Sequence, residues 1–307
     1  MNFEYAIIVK GKTRLETLIE RFNTKSQAQF YIERSGGNWT EYEKEHDTFH
    51  ASLYSVQQQL SPIIKNKIVE RSFLPSFIFS EKNMIVVVGQ DGLVANTAKY
   101  VNGLPIIAVN SDVHRYDGVL LPFNTDNFAP VVSHVMKNDF SFKDTTLAEA
   151  KLNDGQRLLA FNDLFIGAAS HVSARYKISH ASLTEEHSSS GILVSTKSGS
   201  SGWMSSVFNM TNGIMRASGT LGSSDCFCQL SDHDLMFAVR EPFKSKRTQI
   251  EIVNGYVNAS SPLVIESFMP SNGIIFSDGV ESDFMQFNSG AIATIGIAKE
   301  KARLVAN

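Results

Sequence analysis

The amino-acid sequence predicts an α/β domain, with a parallel sheet and flanking helices, followed by a β-rich, sandwich-like domain. Over the first 140 residues, continuous apolar runs of strand length alternate with helical patterns, which is typical of a parallel sheet covered by helices. Beyond that point, short alternating segments are separated by Gly, Ser, Asn and Asp, which is typical of antiparallel strands. We therefore predict domains at residues 1–140 and 141–307, with the C-terminal end returning to the first domain.

Each predicted element of the first domain follows from a local pattern. Apolar runs without polar interruption predict buried strands, and apolar residues spaced three and four apart predict helices with one buried face. The predicted strands are Tyr5–Val9, Met84–Val88 and Ile106–Val109. The predicted helices are Arg14–Phe22, Thr40–Leu60, Asn96–Tyr100 and Asp126–Asn138.

The second domain is predicted to be mainly strands. Its clearest alternating segments are Arg157–Phe161, Arg175–Ile178, Gly191–Thr196 and Leu235–Val239. One helix is expected from Gly202 to Ile214. Because no low-complexity linker separates the domains, we expect them to pack directly, with a cleft between them as the ligand site.

Composition excludes several classes of partner. The 307 residues are 43% hydrophobic, which suits two domains with real cores, and the net charge of −3 argues against nucleic-acid and acidic-membrane binders. The most apolar stretch, Phe73–Val88, is interrupted by Glu81 and Lys82, so it does not predict a membrane span. No targeting segment is visible, and we expect a cytoplasmic protein whose partners are small molecules.

The segment with the most chemical information is Gly89–Leu93, which follows a buried strand and precedes a helix. Glycine lets backbone N–H groups approach an anion closely, and the helix beyond adds its positive end. Asp91 lies between Gly89 and Gly92, where a carboxylate would accept a proton or hold Mg²⁺ rather than bind phosphate. Taken alone, a strand–turn–helix with an Asp cap would give the same pattern.

Three further polar clusters strengthen the functional interpretation of Asp91. The first follows a predicted parallel strand, at the edge of the sheet where α/β proteins bind ligands. The second sets an amide beside a carboxylate among apolar residues, and the third is a Ser/Gly turn that leads into a helix. They are Asn110–Gly118, Phe161–Gly167 and Ser188–Trp203.

Together these four segments resemble the NAD kinase family. Gly89–Leu93 resembles its Gly-Gly-Asp-Gly-Thr loop, and Asn162-Asp163 is similar to its Asn-Glu pair. Ser198–Trp203 resembles its Thr-Gly-Ser-Thr-Ala-Tyr turn. The mitochondrial-type branch is more similar still, because it has an Asn-Thr-Asp-Pro-Glu-Arg-Ser-Glu-Gly run like residues 110–118 and a Trp at the position of Trp203.

The resemblance implies a reaction, a set of ligands and an assembly. The γ-phosphoryl group of ATP would be transferred to the 2′-hydroxyl of the adenosine ribose of NAD, with Mg²⁺ holding the triphosphate and Asp91 acting on the hydroxyl. A homodimer or higher homo-oligomer is expected. The nucleotide-binding residues implied are Gly89, Gln90, Gly92, Asn110, Asp112, Arg115, Asn162, Asp163, Ser198, Gly199, Ser200, Ser201 and Trp203.

The central loop departs from the family pattern at two positions. Gln90 replaces the second glycine, and Leu93 replaces the threonine. A glutamine at positive φ would cost roughly 1 kcal/mol or more. Two other functions therefore stay open: a kinase for a different hydroxyl, such as a sugar or lipid, and an inactive nucleotide-binding regulator.

Two weaker signals predict no site. His46 and His50 are four residues apart on a predicted helix and could share a metal ion, but the sequence offers no clear third ligand, so we predict no metal site there. Cys226 and Cys228 are two apart, with poor geometry for a disulfide and no further zinc ligands nearby.

Overall fold

The computed structural model describes residues 2–220 and 225–306. Within this part of the chain, two compact units form. The first comprises the residues up to Asp144 together with those from Arg303 onward, and the second is Thr145–Ala302. Each unit has its own buried apolar cluster, so each is described separately.

The first unit is built on a parallel sheet. Its strands lie in the order β2-β1-β3-β4, and the end of β16 adds to β4 in parallel. Gly89, the last residue of β3, pairs with Asn110, the last residue of β4, so both strands end at the same edge of the sheet. The strands are β1 (Tyr5–Lys10), β2 (Lys65–Glu70), β3 (Asn83–Gly89), β4 (Pro105–Asn110) and β16 (Ile292–Val305).

Within the described residues, the first unit also contains five α-helices. The first begins with a capping box, in which the Thr13 hydroxyl accepts from the Glu16 N–H and the Glu16 carboxylate accepts from the Thr13 N–H. A short 3-10 helix spans Arg71–Ser76. The helices are α1 (Arg14–Phe22), α2 (Lys25–Arg34), α3 (Trp39–Leu60), α4 (Asp91–Ala98) and α5 (Phe128–Met136).

The second unit is made of antiparallel strands in two layers. One layer has the order β16-β13-β8-β9, with the β5–β6 hairpin joined to β16, and the other has the order β12-β11-β10-β7-β14-β15. The strands are β5 (Phe142–Leu152), β6 (Arg157–Ala160), β7 (Asp163–Ala168), β8 (Ala174–His180), β9 (Leu183–Ser189), β10 (Ile192–Ser195), β11 (Leu235–Val239), β12 (Asn254–Val257), β13 (Leu263–Ser267), β14 (Gly273–Ser277) and β15 (Met285–Gln286).

Alternation along the strands divides the side chains of the second unit between two faces. In β7, Leu164 and Ile166 point into the shared core of the two layers, so Phe165 lies on the opposite face of its sheet. Helix α6 (Trp203–Ala217) packs on that opposite face through Met204, beside Leu193. Phe165 and Trp203, which belong to the candidate site described below, lie on this face.

The predicted fold class is confirmed, with one correction near the site. Helix α4 was predicted over Asn96–Tyr100, but it begins at Asp91 and ends at Ala98. Gly92 therefore lies inside the first helical turn rather than in a loop. Among the described residues, no helix combines the length and the apolar composition needed to cross a membrane.

Candidate active site

Asp91 is the first residue of α4 and follows directly on the carboxyl end of β3. Its Oδ1 accepts a hydrogen bond from the backbone N–H of Leu120, at 2.6 Å. Within the described part of the chain, no hydrogen bond reaches its second oxygen, Oδ2, and the side chain is only half-buried. One oxygen therefore fixes the orientation of the carboxylate, and the other remains available to a ligand.

The two positions before Asp91 differ in what they demand of a residue. Gly89 has a φ of 159°, which other residues rarely adopt, and a Cβ there would lie 3.0 Å from Cδ2 of Leu93, so this position favours glycine. Gln90 has a φ of −127°, a conformation that any residue adopts. Its exposed side chain makes no capping bond to α4. The glutamine therefore causes no backbone strain and is free to contact a ligand.

The two positions after Asp91 also differ. A Cβ at Gly92 would meet nothing within 4 Å, so this glycine leaves open space at the start of α4. Leu93 is 5% exposed, and its side chain packs against Gly89. Leu93 thus supplies packing where the family pattern has a hydroxyl.

Asn110 organises the loop that follows β4. Its Nδ2 donates to the Tyr116 carbonyl at 3.0 Å, and its Oδ1 accepts from the Asp112 N–H at 3.0 Å. Gly118, at a φ of 66°, comes so close that a Cβ there would lie 2.6 Å from Asn110 Nδ2. Both polar ends of the Asn110 amide are therefore engaged within the loop, and its predicted contact with nucleotide stays a prediction.

Two charged residues of this loop, Asp112 and Arg115, also have partners. Oδ1 of Asp112 accepts from the His114 N–H at 3.2 Å. Arg115 lies 3.0 Å from Glu45, and Arg14 donates to the same carboxylate at 2.6 Å. Glu45 therefore joins helix α1, helix α3 and the loop through two guanidinium groups, and the charge of Arg115 is already paired.

In the second unit, one carboxylate organises the Asn162-Asp163 pair. Asp278 accepts from the backbone N–H groups of Phe161 at 3.0 Å, Asn162 at 2.6 Å and Asp163 at 3.2 Å. These bonds turn the chain at the start of β7, where Asp163 is 8% exposed. The contact of Asp278 with residues 161–163 spans more than 110 positions of the sequence and is visible only in the fold.

Contacts between backbones hold the Ser/Gly turn against the Asn162-Asp163 pair. Thr196 donates its N–H to the Asn162 carbonyl at 2.9 Å and its hydroxyl to the Phe161 carbonyl at 2.6 Å. A Cβ at Gly199 would lie only 2.1 Å from the Asn162 carbonyl oxygen, so only glycine fits. The structure thus brings together two motifs that the sequence separates by about 35 residues.

The serines of this turn have different roles. The Ser200 hydroxyl donates to the Lys197 carbonyl at 2.7 Å, which closes the turn. For the hydroxyls of Ser198 and Ser201, no protein hydrogen bond is found among the described residues, and Ser201 is exposed. These two hydroxyls are free to bind a polar ligand.

Trp203, the first residue of α6, is part of an aromatic cluster. Its ring stacks on Phe165, with centroids 5.7 Å apart and planes at 8°, and the Arg240 guanidinium lies 5.3 Å from the Trp203 centroid. The cluster lines a cavity of about 490 Å³, which Phe276 also borders. Sequence reasoning did not select Phe165 or Phe276, although the alternation of β7 places Phe165 outside the core.

A magnesium ion bound to ATP would find suitable chemistry at Asp91. Mg²⁺ prefers oxygen ligands and is usually held by one or two carboxylates together with substrate phosphates. Oδ2 of Asp91 is such an oxygen, at the start of a helix whose first N–H groups favour anions. The residues present therefore fit a magnesium–triphosphate complex.

Comparison with known proteins supports the fold. No protein-family model and no curated protein matches the sequence. Among solved structures, a yeast NADH kinase complexed with NADH is similar, with a TM-score of 0.61, 14% identity and coverage of 100% of this chain and 84% of that one. An NAD kinase from Archaeoglobus fulgidus in complex with ATP gives a TM-score of 0.56, 13% identity and coverage of 99% and 94%. The fold is that of NAD kinases.

Proposed function

We propose that the chain is a kinase that transfers the γ-phosphoryl group of ATP to the 2′-hydroxyl of the adenosine ribose of NAD. The observation that carries this proposal is the Asp91 carboxylate, held through Oδ1 at the carboxyl end of a parallel strand, with Oδ2 available. Phosphoryl transfer requires mainly positioning and charge neutralisation, which a sparse set of residues can supply.

In the first unit, Asp91 would accept the proton of the attacking hydroxyl. The first N–H groups of α4 would face the phosphates, since Gly89 and Gly92 keep side chains away from them. Gln90 would donate its exposed amide to the same phosphates. Mg²⁺, carried with ATP, would neutralise the charge of the triphosphate when bound.

In the second unit, Asn162, Asp163 and the Ser198–Ser201 turn would bind the adenosine portion of NAD. The free hydroxyls of Ser198 and Ser201 suit a ribose, and the ring of Trp203 suits a planar base. Support comes from the way Asp278 and Gly199 hold these segments together, and from the similarity to a kinase solved with NADH.

The same proposal includes a branch and an assembly. Trp203 and the residues 110–118 favour the mitochondrial-type branch of the family. The protein would act in the cytoplasm as a homodimer or a higher homo-oligomer. Size-exclusion chromatography with light scattering would test the assembly, and a monomer would contradict it.

A non-catalytic nucleotide-binding regulator is the second candidate. Leu93 favours it, because its buried side chain leaves no hydroxyl at a position where the family pattern has one. Such a protein would bind NAD or ATP without forming a product. A kinase for another acceptor, such as a sugar or lipid hydroxyl, would use the same donor and the same carboxylate.

The decisive experiment measures NADP formation from NAD and Mg-ATP, with NADH, a sugar and a diacylglycerol as alternative acceptors. We expect activity with NAD and a loss of about a hundredfold or more in Asp91→Asn, because asparagine keeps the bond from Leu120 but cannot accept the proton. Asp126→Asn is the matched control, since Asp126 is an exposed aspartate of the same unit.

Each result identifies one function. Full activity in Asp91→Asn would refute the role of this carboxylate. If a product forms only with another acceptor, that acceptor replaces NAD as the proposed substrate. If NAD raises the melting temperature but no acceptor yields a product, the protein is a regulator.

A further inference from the structure

Three side chains that can bind metal ions meet between helices α1 and α3 of the first unit. Glu16 comes from α1, and His46 and His50 come from successive turns of α3. One potential ligand atom from each lies within 4.8 Å of the other two, and His50 Nε2 is 3.0 Å from Glu16 Oε1. Ligands about 2.0–2.1 Å from a tetrahedral ion lie roughly 3.4 Å apart, so small side-chain rotations would bring all three to one ion.

Thr13 provides the outer support that such a site requires. Its hydroxyl oxygen lies 2.9 Å from His46 Nδ1 and accepts from the Glu16 N–H at 3.1 Å. A histidine that donates one ring N–H to an acceptor keeps the lone pair of its other nitrogen for a metal.

One cation already faces the cluster. Lys10 Nζ lies 3.3 Å from Glu16 Oε1, the oxygen that also faces His50. Oε2 of Glu16 accepts from the Thr13 N–H at 2.8 Å. A metal ion would therefore compete with Lys10 for Oε1, and removing the lysine should strengthen metal binding.

We propose that Glu16, His46 and His50 bind a divalent transition-metal ion of the Zn²⁺ type, which joins α1 to α3. Two imidazoles with one carboxylate form a known zinc ligand set, with a fourth position open to water. The partial exposure of the His50 and Glu16 side chains leaves a path for the ion. Mg²⁺ is a poor fit, since it prefers oxygen ligands, so this site is separate from the Mg-ATP of the proposed reaction.

The sequence alone could not supply the third ligand. His46 and His50 share a helix face by their spacing, but Glu16 is 34 positions from His50 and lies in another helix. The capping box already explains a glutamate at position 16, so the sequence gives no separate reason to consider Glu16 as a metal ligand.

The test is titration of the full-length protein with ZnCl₂ by calorimetry, and with CoCl₂ by visible absorption. Both use the Cys226→Ser/Cys228→Ser background, because those thiols could bind zinc by themselves. We expect one ion per chain, a visible Co²⁺ band typical of four-coordinate geometry, and a melting temperature that rises with Zn²⁺ but not with Mg²⁺.

Substitutions test whether the Zn²⁺ measured by titration binds to Glu16, His46 and His50. His46→Gln and His50→Gln should each weaken Zn²⁺ binding by more than about tenfold. Glu16→Gln should do the same while keeping the capping box, which accepts glutamine. Lys10→Met should strengthen binding. His134→Gln is the matched control, because His134 pairs with Asp139 outside the cluster.

Two results would overturn the proposal. One is the absence of Zn²⁺ binding in both the parent protein and Lys10→Met, which would make the cluster a hydrogen-bonded Glu–His group only. The other is binding that persists unchanged in a His46→Gln/His50→Gln double variant, which would place the ion elsewhere.

Discussion

The residues of the proposed site are held in different ways in the two units. In Gly89–Leu93, the Asp91 side chain is oriented by one hydrogen bond from Leu120, and a Cβ at Gly92 would meet open space. In the second unit, the Asn162 carbonyl accepts from the Thr196 N–H, the Asn162 N–H donates to the Asp278 carboxylate, and the Asn162 backbone packs directly on Gly199. We call Gly89–Leu93 the open region, because one hydrogen bond orients its functional side chain. We call the contacts among Asn162, Thr196, Gly199 and Asp278 the interlocked region, because several contacts with the backbone hold it.

This difference indicates where each region tolerates change. Both departures from the family pattern, Gln90 and Leu93, fall in the open region, where the backbone accepts either residue without strain. The interlocked region keeps the glycine that its backbone contacts require. We therefore expect substitutions of the two side chains in the first region that are not buried, Gln90 and Asp91, to alter mainly chemistry, and substitutions in the second region to alter stability together with binding.

Gly199→Ala should cause the largest loss of stability. The new Cβ would lie 2.1 Å from the Asn162 carbonyl oxygen, and a backbone atom cannot rotate away, so we expect a cost of about 4 kcal/mol in urea denaturation. Gly213→Ala is the control, since Gly213 lies exposed in α6 with open space around it and should gain up to about 1 kcal/mol. If Gly199→Ala and Gly213→Ala changed the free energy of unfolding equally, the close contact between residues 162 and 199 would be contradicted.

Asp278→Asn should cost about 3 kcal/mol, because a carboxylate that accepts from three N–H groups is replaced by an amide with one oxygen. Asparagine tolerates the φ of 51° at this position, so the change tests the carboxylate and not the backbone. The free energy of unfolding, measured by urea denaturation, and the affinity for NAD should fall together. Normal stability with weak NAD binding would indicate that Asp278 contacts the ligand instead.

The fold was predictable from the sequence because its patterns are local. Uninterrupted apolar runs predicted β3 and β4, and their observed bounds differ from the prediction by one residue at each end. Strand β2 was missed because lysines at 65 and 67 dilute its apolar pattern at the edge of the sheet. The start of α4 was also missed, since Gly92 in its first turn reads as part of a loop.

The motifs of the candidate site can be recognised in the sequence, but the residues that support them cannot. Asp91 and the Asn162-Asp163 pair carry recognisable chemistry, and a family resemblance covers both. Leu120, Asp278 and Glu16 act through contacts with residues that are 29 or more positions away, and no local pattern marks such contacts. Side chains that hold functional groups are thus the part that requires the fold.

Leu93→Thr tests the open region with the hydroxyl that the family pattern contains. We expect a loss of about 2 kcal/mol in stability, because a buried side chain that packs on Gly89 becomes smaller and polar. If the hydroxyl binds phosphate, the kcat for NADP formation should rise despite that loss. A variant with unchanged stability would contradict the packing role assigned to Leu93.

Gln90→Gly should have the smallest effect on stability, below about 0.5 kcal/mol, because Gln90 is extended and caps nothing. Its exposed amide is free to donate to a phosphate, so the KM for ATP should rise by roughly threefold to tenfold, which corresponds to one lost hydrogen bond. A fall in KM would mean that the glutamine narrows the phosphate site instead.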